Sequence, residues 1–459
     1  MSIFLRLNKT ILTISCILTF IQAGAQNTFK LNGGPDQQQP LVPKVGVDAR
    51  YALKVDYQQQ GMSNLLINFK APVVIGIASK PEKWGYFQFA KIGFKPDGTI
   101  QAKWNMTRDA IEAYGENNFG VATSTDLGKT WKLQDSVYET GLLKLPNGDF
   151  LDVVTPKPIK VEELQLPKPV GYGADNYRKA PTTYYRLSEV PENRQGVFQK
   201  RLKKGETNWE DEVAKLTDPD AARYSLSGLF PVLWWGDIRV ARDKSLIAGI
   251  YPGILIGKDG VAEPKTGVFF YRSTDNGKSW KVQGRIPYSI DTVADIHSKK
   301  RMGFTEPAFE ILSNGTYLCV MRTSDGMGNG PLFASYSTDE GKTWSVPAAI
   351  AASGVLPNLL QLENGVLVMS SGRPGVQLRF STVKNGMVWS KAFEMFPYDE
   401  NAIVREQNGN TATVSDGYTS LLPIGKDRFL LIYTDFAYPT TSGALRKAVM
   451  VREIQVNKK

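Results

Sequence analysis

The octapeptide STDEGKTW at residues 337–344 is repeated with little change elsewhere in this chain of 459 residues. STDLGKTW stands at residues 124–131 and STDNGKSW at residues 273–280. Asp and Gly suit a tight turn in which the carboxylate accepts backbone N–H bonds, and the Trp can fold back as an apolar plug between sheets. We therefore interpret the three octapeptides as structural turns that mark repeated β-units, and not as catalytic sequences.

A second repeat consists of an apolar strand, a turn containing Gly or Asp, and another apolar strand, which is typical of β-hairpins. Six such hairpins occur, at residues 92–104, 142–154, 238–251, 309–322, 359–371 and 421–433. Degenerate octapeptides ending at Trp209 and Trp389 lie between them, at a spacing compatible with four-stranded propeller blades. The longest insertion is at 156–181. The pattern predicts an all-β, six-bladed β-propeller, whose last blade is closed by residues 73–78 or another N-terminal segment.

The N-terminus has the features of an export signal. Arg6 and Lys9 precede an apolar run at residues 11–21, and Ala-Gly-Ala at residues 23–25 provides a small-residue cleavage site. We predict a signal peptide at 1–25, a Gln- and Pro-rich lead-in at 26–60, and the propeller at 61–459. The protein is then exported, to the periplasm or to the extracellular space.

Composition excludes several kinds of chemistry. The chain has a single histidine, His297, and two cysteines, of which Cys16 lies in the predicted signal peptide. Cys319 is then the only cysteine of the mature protein, which excludes an intramolecular disulfide and a His/Cys zinc site. We expect no metal and no cofactor. Chemistry based on carboxylates, tyrosine and arginine remains.

The charge distribution limits the partners. The formal net charge is +10, but the basic residues are scattered along the sequence. Nucleic-acid binding needs a concentrated basic face, so we expect no nucleic-acid partner. Beyond the predicted signal peptide, no apolar run approaches the ~20 residues of a membrane span. The sequence gives no indication of the oligomeric state.

Taken together, the signal, the hairpins and the octapeptides resemble the sialidase (neuraminidase) superfamily of six-bladed propellers, over roughly residues 84–456. That resemblance implies a glycosidase with an arginine triad for the substrate carboxylate, an aspartate acid/base and a tyrosine nucleophile assisted by a glutamate. A neutral phenol approaches an anionic sugar more easily than a carboxylate nucleophile does. We therefore expect a glycan partner that carries an acidic sugar.

Two segments carry the resemblance at the expected site. Glu306, followed by a hairpin and then by Arg322, is similar to the sialidase segment in which a Glu precedes a hairpin and an Arg follows it. Asp416-Gly417-Tyr418 resembles the segment of the last blade that carries the nucleophile. The resemblance thus implies Tyr418 as nucleophile, Glu306 as its partner and Arg322 as a carboxylate ligand.

Three further residues are implied in the same way. Arg373 corresponds to another triad arginine, and Asp109, which follows the first hairpin, to the acid/base. Lys91 stands in Phe89-Ala90-Lys91-Ile92-Gly93, where similar sialidases usually have Arg. Lysine supplies a point charge instead of a bidentate fork. This departure favours a different acidic sugar, or a weaker or lost activity, as alternatives to sialic acid.

Three functional hypotheses result. The first is an exo-glycosidase that releases terminal sialic acid or a related acidic sugar with retention of configuration, using Asp109, Glu306 and Tyr418. The second is a hydrolase or lyase for a polysaccharide containing uronic acid or rhamnose, in which His297 lines the cleft and carries the chemistry. The third is a non-catalytic glycan-binding propeller, in which Asp109, Glu306 and Tyr418 would not converge.

Overall fold

The computed structural model describes residues 52–134, 143–324, 329–396 and 414–459, and the predicted signal peptide lies outside these ranges. In chain order, the first strands are β1 (Leu53–Tyr57), β2 (Leu65–Phe69), β3 (Val73–Ile77), β4 (Gln88–Phe94), β5 (Ile100–Asn105), β6 (Phe119–Ser124) and β7 (Lys132–Gln134). They are followed by β8 (Leu143–Lys144), β9 (Phe150–Val153), β10 (Ile159–Lys160), β11 (Gly171–Asp175), β12 (Ala180–Arg186), β13 (Val197–Leu202), β14 (Trp209–Thr217), β15 (Ala221–Leu226) and β16 (Leu229–Phe230).

The second half of the chain is also built of strands. These are β17 (Trp235–Val240), β18 (Leu246–Leu255), β19 (Gly267–Ser273), β20 (Ser279–Ile286), β21 (Gly303–Ile311), β22 (Tyr317–Ser324), β23 (Leu332–Ser337) and β24 (Ala348–Ala351). The last ones are β25 (Val355–Gln361), β26 (Leu367–Gly372), β27 (Val376–Ser381), β28 (Phe393–Glu394), β29 (Ser420–Gly425), β30 (Arg428–Pro439) and β31 (Leu445–Lys458). Within the described ranges, short 3-10 helices occur at Ile111–Ala113, Val161–Glu163, Leu187–Glu189, Glu192–Arg194 and Ser298–Lys300.

The sheets follow the chain in sequential antiparallel order, as β-propeller blades do. Strands β4 to β7, β21 to β24 and β25 to β28 each form a four-stranded sheet. Strands β17 to β20 and the set β8, β9, β13 and β14 are joined by a parallel ladder between β14 and β20. Each hairpin predicted from the sequence is an antiparallel pair, namely β4–β5, β8–β9, β17–β18, β21–β22, β25–β26 and β29–β30. The protein is an all-β propeller, and the count of six blades stays our prediction.

N-terminal strands complete the last sheet. β3 pairs with β31, which confirms that residues 73–78 add a strand to the C-terminal hairpin β30–β31. β2 pairs with the other end of β31, and β1 pairs with β2. The sheet therefore begins at Leu53, inside the segment that we predicted as a lead-in. N-terminal strands and the C-terminal hairpin thus share one sheet, which closes the propeller.

The octapeptides form turns in which the polar side chains make hydrogen bonds within the turn itself. In the second octapeptide, Asp275 accepts hydrogen bonds from the Ser273 hydroxyl at 2.7 Å and from the Ser279 amide at 2.9 Å. In the first, the hydroxyl and then the amide of Thr130 hold the pKa of Asp126 at about 2. The tryptophans pack between neighbouring sheets, since the ring of Trp344 stacks on that of Phe270 with centroids 4.2 Å apart. The structural interpretation of the octapeptides is thereby supported.

Three of the four-stranded sheets have a β-bulge near the start of their first strand, and residues in these bulges contact the candidate site. The register shifts between Gln88 and Lys91 in β4, between Thr305 and Ala308 in β21, and between Val355 and Asn358 in β25. Each bulge contains a non-glycine residue with positive φ, namely Phe89 (56°), Glu306 (47°) and Leu356 (35°). Such backbone is strained, and it persists where other contacts fix it. The amides of Phe89 and Leu356 supply these contacts: the first donates to the buried carboxylate of Asp416, before β29, and the second to that of Glu306, in β21.

None of the helices in the described part of the chain is long and apolar enough to cross a membrane.

Candidate functional site

The carboxylate of Glu306 is the centre of the site. Its Oε1 accepts hydrogen bonds from the hydroxyl of Tyr418 at 2.5 Å and from Nη1 of Arg322 at 2.8 Å. Its Oε2 accepts a hydrogen bond from the amide of Leu356 at 2.8 Å. Glu306 is only 7% exposed, so these three donors replace water around the carboxylate. The bulge in β21 places this residue where β22, β25 and the segment before β29 meet.

Tyr418 is held as a neutral phenol whose proton points at Glu306. Burial raises the pKa of Tyr418 well above its usual value, and the neighbouring Glu306 carboxylate raises it further. Arg322 and Arg373 act in the opposite direction. The result is a hydroxyl that is protonated at neutral pH and hydrogen bonded to a potential base, which is the arrangement required of an activated nucleophile.

Arg322 connects Glu306 to the insertion at residues 156–181. Burial disfavours its charge, but the carboxylate of Glu306 more than offsets this effect and raises the pKa of Arg322 above its ordinary value. Its Nη2 donates a hydrogen bond of 3.2 Å to the hydroxyl of Tyr177, in the turn between β11 and β12. Arg322 is only 6% exposed, and its guanidinium has hydrogen-bond partners on two sides.

Arg373 lies beside two aromatic rings, one of which is the ring of Tyr418. Its Nε donates to the backbone oxygen of Asp416 at 2.9 Å, and its Cζ lies 5.3 Å from the ring of Trp84 and 5.6 Å from the ring of Tyr418. These are cation–π distances. The charges of both predicted arginines, Arg322 and Arg373, therefore act on Tyr418.

Asp416 fixes the backbone next to Tyr418. Its carboxylate accepts hydrogen bonds from the amide of Phe89 at 2.8 Å and from the amide of Tyr418 at 3.2 Å. Burial raises the pKa of Asp416 to about 6, although these amides and Arg373 favour the ionised form. The Phe89 ring lies 4.9 Å from the Tyr418 ring. Asp416 therefore ties the first sheet to the segment that carries Tyr418.

Asp109 is connected to this centre through a tryptophan. The indole Nε1 of Trp84 donates a hydrogen bond of 2.9 Å to Oδ2 of Asp109, and the same indole ring lies beside Arg373. Asp109 is exposed and precedes the 3-10 helix at Ile111–Ala113. The carboxyl of Asp109 is thus open to solvent, whereas that of Glu306 is enclosed.

Three further aromatic rings pack against one another in a row near Tyr418. Tyr114 meets Trp235 with ring centroids 5.2 Å apart, and Trp235 meets Tyr251 at 5.8 Å. Burial raises the pKa of Tyr251 well above its usual value, and the charge of Glu306 and the proximity of Tyr418 add to this effect. Trp234, by contrast, is buried in the hydrophobic core between sheets. Partly exposed aromatic faces of this kind suit the apolar faces of sugar rings.

Two predicted residues are not joined to this centre. Lys91 is exposed on β4, where it pairs in register with Lys103. His297 precedes the 3-10 helix at Ser298–Lys300, and its amide donates to Asp295. Among the described residues, neither side chain makes a hydrogen bond or an ion pair. Their roles in substrate binding stay predictions.

Several residues of the site were missed by the sequence analysis: Trp84, Tyr114, Tyr177, Tyr251 and Asp416. Most of these side chains come from loops or strand ends, where no repeat marks their positions. Asp416 had a signal, since it stands two residues before Tyr418 in the segment that we singled out. Tyr177 lies in the insertion at 156–181, which was noted only for its length.

The described ranges contain no cluster of three or more His, Cys, Asp or Glu side chains arranged to hold a metal ion.

Comparison with known proteins agrees with the fold. The BNR/Asp-box repeat family matches residues 335–346, which include the third octapeptide. A protein of unknown function from Dyadobacter fermentans has a similar structure, with a TM-score of 0.55 and 16% identity over 85% of this chain and 99% of that chain. No curated protein matches the sequence.

More distant likenesses include two glycosidases. An alpha-L-arabinanase from Penicillium chrysogenum, solved with arabinobiose, gives a TM-score of 0.47 and 15% identity over 83% of this chain and 98% of that chain. A sialidase from Trypanosoma rangeli, solved with the inhibitor DANA, gives 0.38 and 14% over 89% of this chain and 59% of that chain. The matched repeat and the order of the sheets agree with an all-β propeller fold in which residues 335–346 form a BNR/Asp-box repeat.

Proposed function

We propose that the protein is a glycoside hydrolase of the retaining type, in which Tyr418 is the nucleophile and Glu306 its base. The observation that carries this proposal is the 2.5 Å hydrogen bond from the Tyr418 hydroxyl to Glu306 Oε1. A buried structural tyrosine needs only a neutral acceptor. Here the acceptor is a carboxylate fixed by Arg322 and by the amide of Leu356, which leaves Oε1 directed at the phenol.

The reaction would proceed in two displacements. In the first, the Tyr418 oxygen bonds to the anomeric carbon while Glu306 takes the phenolic proton, and Asp109 donates a proton to the departing glycosidic oxygen. In the second, water attacks the anomeric carbon of the glycosyl–tyrosine, Asp109 takes a proton from that water, and Tyr418 regains its proton from Glu306. The anomeric configuration is inverted twice and is therefore retained.

The substrate that we propose is a terminal acidic sugar, with sialic acid as the first candidate. The charges of Arg322 and Arg373 both act on Tyr418, so two guanidinium groups near the nucleophile could attract a carboxylate. A neutral tyrosine avoids the repulsion that a carboxylate nucleophile would meet from the same group. The predicted export signal fits action on glycans outside the cell.

A purely glycan-binding propeller would not require a carboxylate against the hydroxyl of Tyr418. Glu306 and Tyr418 are in direct contact, and Asp109 is linked to them through Trp84 and Arg373. For the second hypothesis, in which His297 carries the chemistry, no contact between the described residues favours the histidine.

The test is a proton NMR time course with the 4-methylumbelliferyl glycosides of α-N-acetylneuraminic acid and β-D-glucuronic acid, and with the matching β-D-glucoside as the neutral control. We expect cleavage of an acidic glycoside, with the first-formed sugar in the anomeric configuration of the substrate. An inverted first product, or cleavage of the glucoside alone, would overturn the proposal. Absence of all turnover at high enzyme concentration would overturn it as well.

A further inference from the structure

The hairpin β11–β12 contributes a residue to the site from outside the predicted blades. β11 pairs with β12, and β12 pairs with β15, so the hairpin belongs to a small sheet that extends from β18. Tyr177 stands in its turn and is 47% exposed, unusually high for an aromatic residue whose hydroxyl reaches a buried arginine. The hairpin is thus a wall on the Arg322 side of the site.

The turn of the hairpin is fixed by polar contacts. Asp175 accepts hydrogen bonds from the amide of Arg178 at 2.8 Å and from its Nη1 at 2.8 Å. Nη2 of Arg178 donates to the hydroxyl of Tyr114 at 3.3 Å. Tyr114 in turn packs on Trp235. These contacts place Tyr177, which lies between Asp175 and Arg178, in a defined position over the site.

The contact with Arg322 involves the nitrogen that a substrate carboxylate needs. A guanidinium binds a carboxylate through two parallel N–H groups, either Nη1 with Nη2 or Nε with Nη2. Nη2 is common to both edges, and it donates to Tyr177. Nη1 already donates to Glu306, whereas Nε is buried without a hydrogen-bond partner among the described residues. An incoming carboxylate that uses the Nη2 hydrogen bonded to Tyr177 therefore meets this hydroxyl.

We propose that Tyr177 determines specificity by competition: its hydroxyl occupies Nη2 of Arg322 in the empty site, and a substrate carboxylate must displace it. This inference rests on the proposed function, because it takes Arg322 as the ligand of an acidic sugar. A neutral sugar offers only another hydroxyl, so its exchange for the Tyr177 hydroxyl at Nη2 brings no additional electrostatic attraction to the guanidinium. The Tyr177 hydroxyl would therefore weaken the binding of acidic sugars, whereas neutral sugars, which do not displace it, would bind independently of it.

Tyr177→Phe separates the hydroxyl from the ring. The ring keeps its packing, while the competitor for Nη2 is lost, so acidic sugars should bind more tightly. A net hydrogen bond contributes modestly to binding, and we expect a three- to tenfold lower Kd, roughly. Tyr172→Phe is the matched control, because Tyr172 lies on β11 of the same hairpin and is 73% exposed.

The experiment is isothermal titration of the wild-type protein, Tyr177→Phe and Tyr172→Phe with free N-acetylneuraminic acid, D-galacturonic acid and D-galactose. Galacturonic acid and galactose differ in the carboxylate alone. We expect Tyr177→Phe to lower the Kd of at least one acid and to leave galactose binding and the Tyr172→Phe values at the wild-type level. An unchanged or higher Kd for both acids in Tyr177→Phe would overturn the inference, as would absence of acid binding in all three proteins.

This titration is independent of catalysis. Acid binding that responds to Tyr177→Phe in a protein without hydrolytic activity would contradict the proposed hydrolase and support the competition. Hydrolysis of an acidic glycoside, together with acid binding that does not respond to Tyr177→Phe, would support the proposed hydrolase and contradict the competition.

Discussion

Tyr418 and Glu306 are 112 residues apart in the chain, yet the phenol oxygen of one lies 2.5 Å from a carboxylate oxygen of the other. Glu306 belongs to β21, Tyr418 precedes β29, and β25 lies between these strands, where Leu356 donates to Glu306. The contact exists because the first strands of successive sheets face one another around a common axis. The order of these three sheets thereby brings Tyr418 against Glu306.

Glu306→Gln should abolish most of the activity. The amide can still accept one hydrogen bond, but it cannot take the phenolic proton, and general-base catalysis typically contributes 10²–10⁴-fold, so we expect kcat/KM to fall by about that factor. The measurement is hydrolysis of a 4-methylumbelliferyl α-sialoside. Glu310→Gln is the control, because Glu310 lies on the same strand and pairs with Arg239 away from Tyr418. Comparable losses in the two variants would argue for a structural effect.

Trp84→Phe should lower kcat through Asp109. Phenylalanine keeps an aromatic ring beside Arg373 but removes the Nε1 donor that holds the Asp109 carboxyl. We expect a decrease in kcat of roughly tenfold, because a mispositioned acid transfers its proton less efficiently. Trp131→Phe removes a comparable indole donor in an octapeptide turn and should leave kcat unchanged. A drop in KM alone would contradict the role of Trp84.

Asp416→Asn should change how stability depends on pH. Burial raises the pKa of Asp416 to about 6, above the value of roughly 3.9 in an unfolded chain. Between these pH values the folded protein binds the proton more tightly, so the contribution of Asp416 to stability falls as pH rises, by up to about 3 kcal/mol. Arg373 and Lys447 are the charged groups that oppose the shift.

Asparagine does not titrate, and the comparison therefore isolates this carboxyl. The free energy of unfolding of the wild type minus that of Asp416→Asn should decrease between pH 4 and pH 7, as measured by urea denaturation. A difference that stays constant or increases with pH would show that the pKa of Asp416 is not raised in the folded protein.

Asp275→Ala should destabilise the fold without changing the reaction. Asp275 accepts hydrogen bonds from the Ser273 hydroxyl and from the amide and hydroxyl of Ser279, and we expect a loss of about 1–3 kcal/mol in unfolding free energy. KM and kcat at a temperature below the transition should match the wild type. Asp259→Ala, at an exposed turn, should cost much less. A selective loss of kcat in Asp275→Ala would contradict the structural role of the octapeptides.

The repeated elements of this protein could be predicted from the sequence because their signals are local. An octapeptide turn is specified by residues that bond to one another within it, as Ser273 and Asp275 do. Each hairpin likewise carries its own turn residues and alternating apolar positions. The pairing of Glu306 with Tyr418 and Arg322 could be expected through the sialidase resemblance, whose segments are preserved around all three residues.

Other parts of the site depend on geometry that no short segment encodes. The bulge in β4 adds a residue and brings the ring of Phe89, instead of Lys91, against Tyr418. Tyr177 reaches Arg322 from an insertion 145 residues away in the chain. Such contacts follow from loop conformation and from the closure of the propeller, and a single sequence contains no periodic signal for either.

The central claim is that Tyr418 attacks an acidic glycoside, and it is tested most directly by release of 4-methylumbelliferone from its α-sialoside. The wild-type protein is compared with Tyr418→Phe and Asp109→Asn at equal concentrations, after thermal unfolding has shown that all three are folded. We expect turnover by the wild type and its loss in both variants. Absence of turnover by the wild type at high enzyme concentration, or turnover retained by Tyr418→Phe, would contradict it.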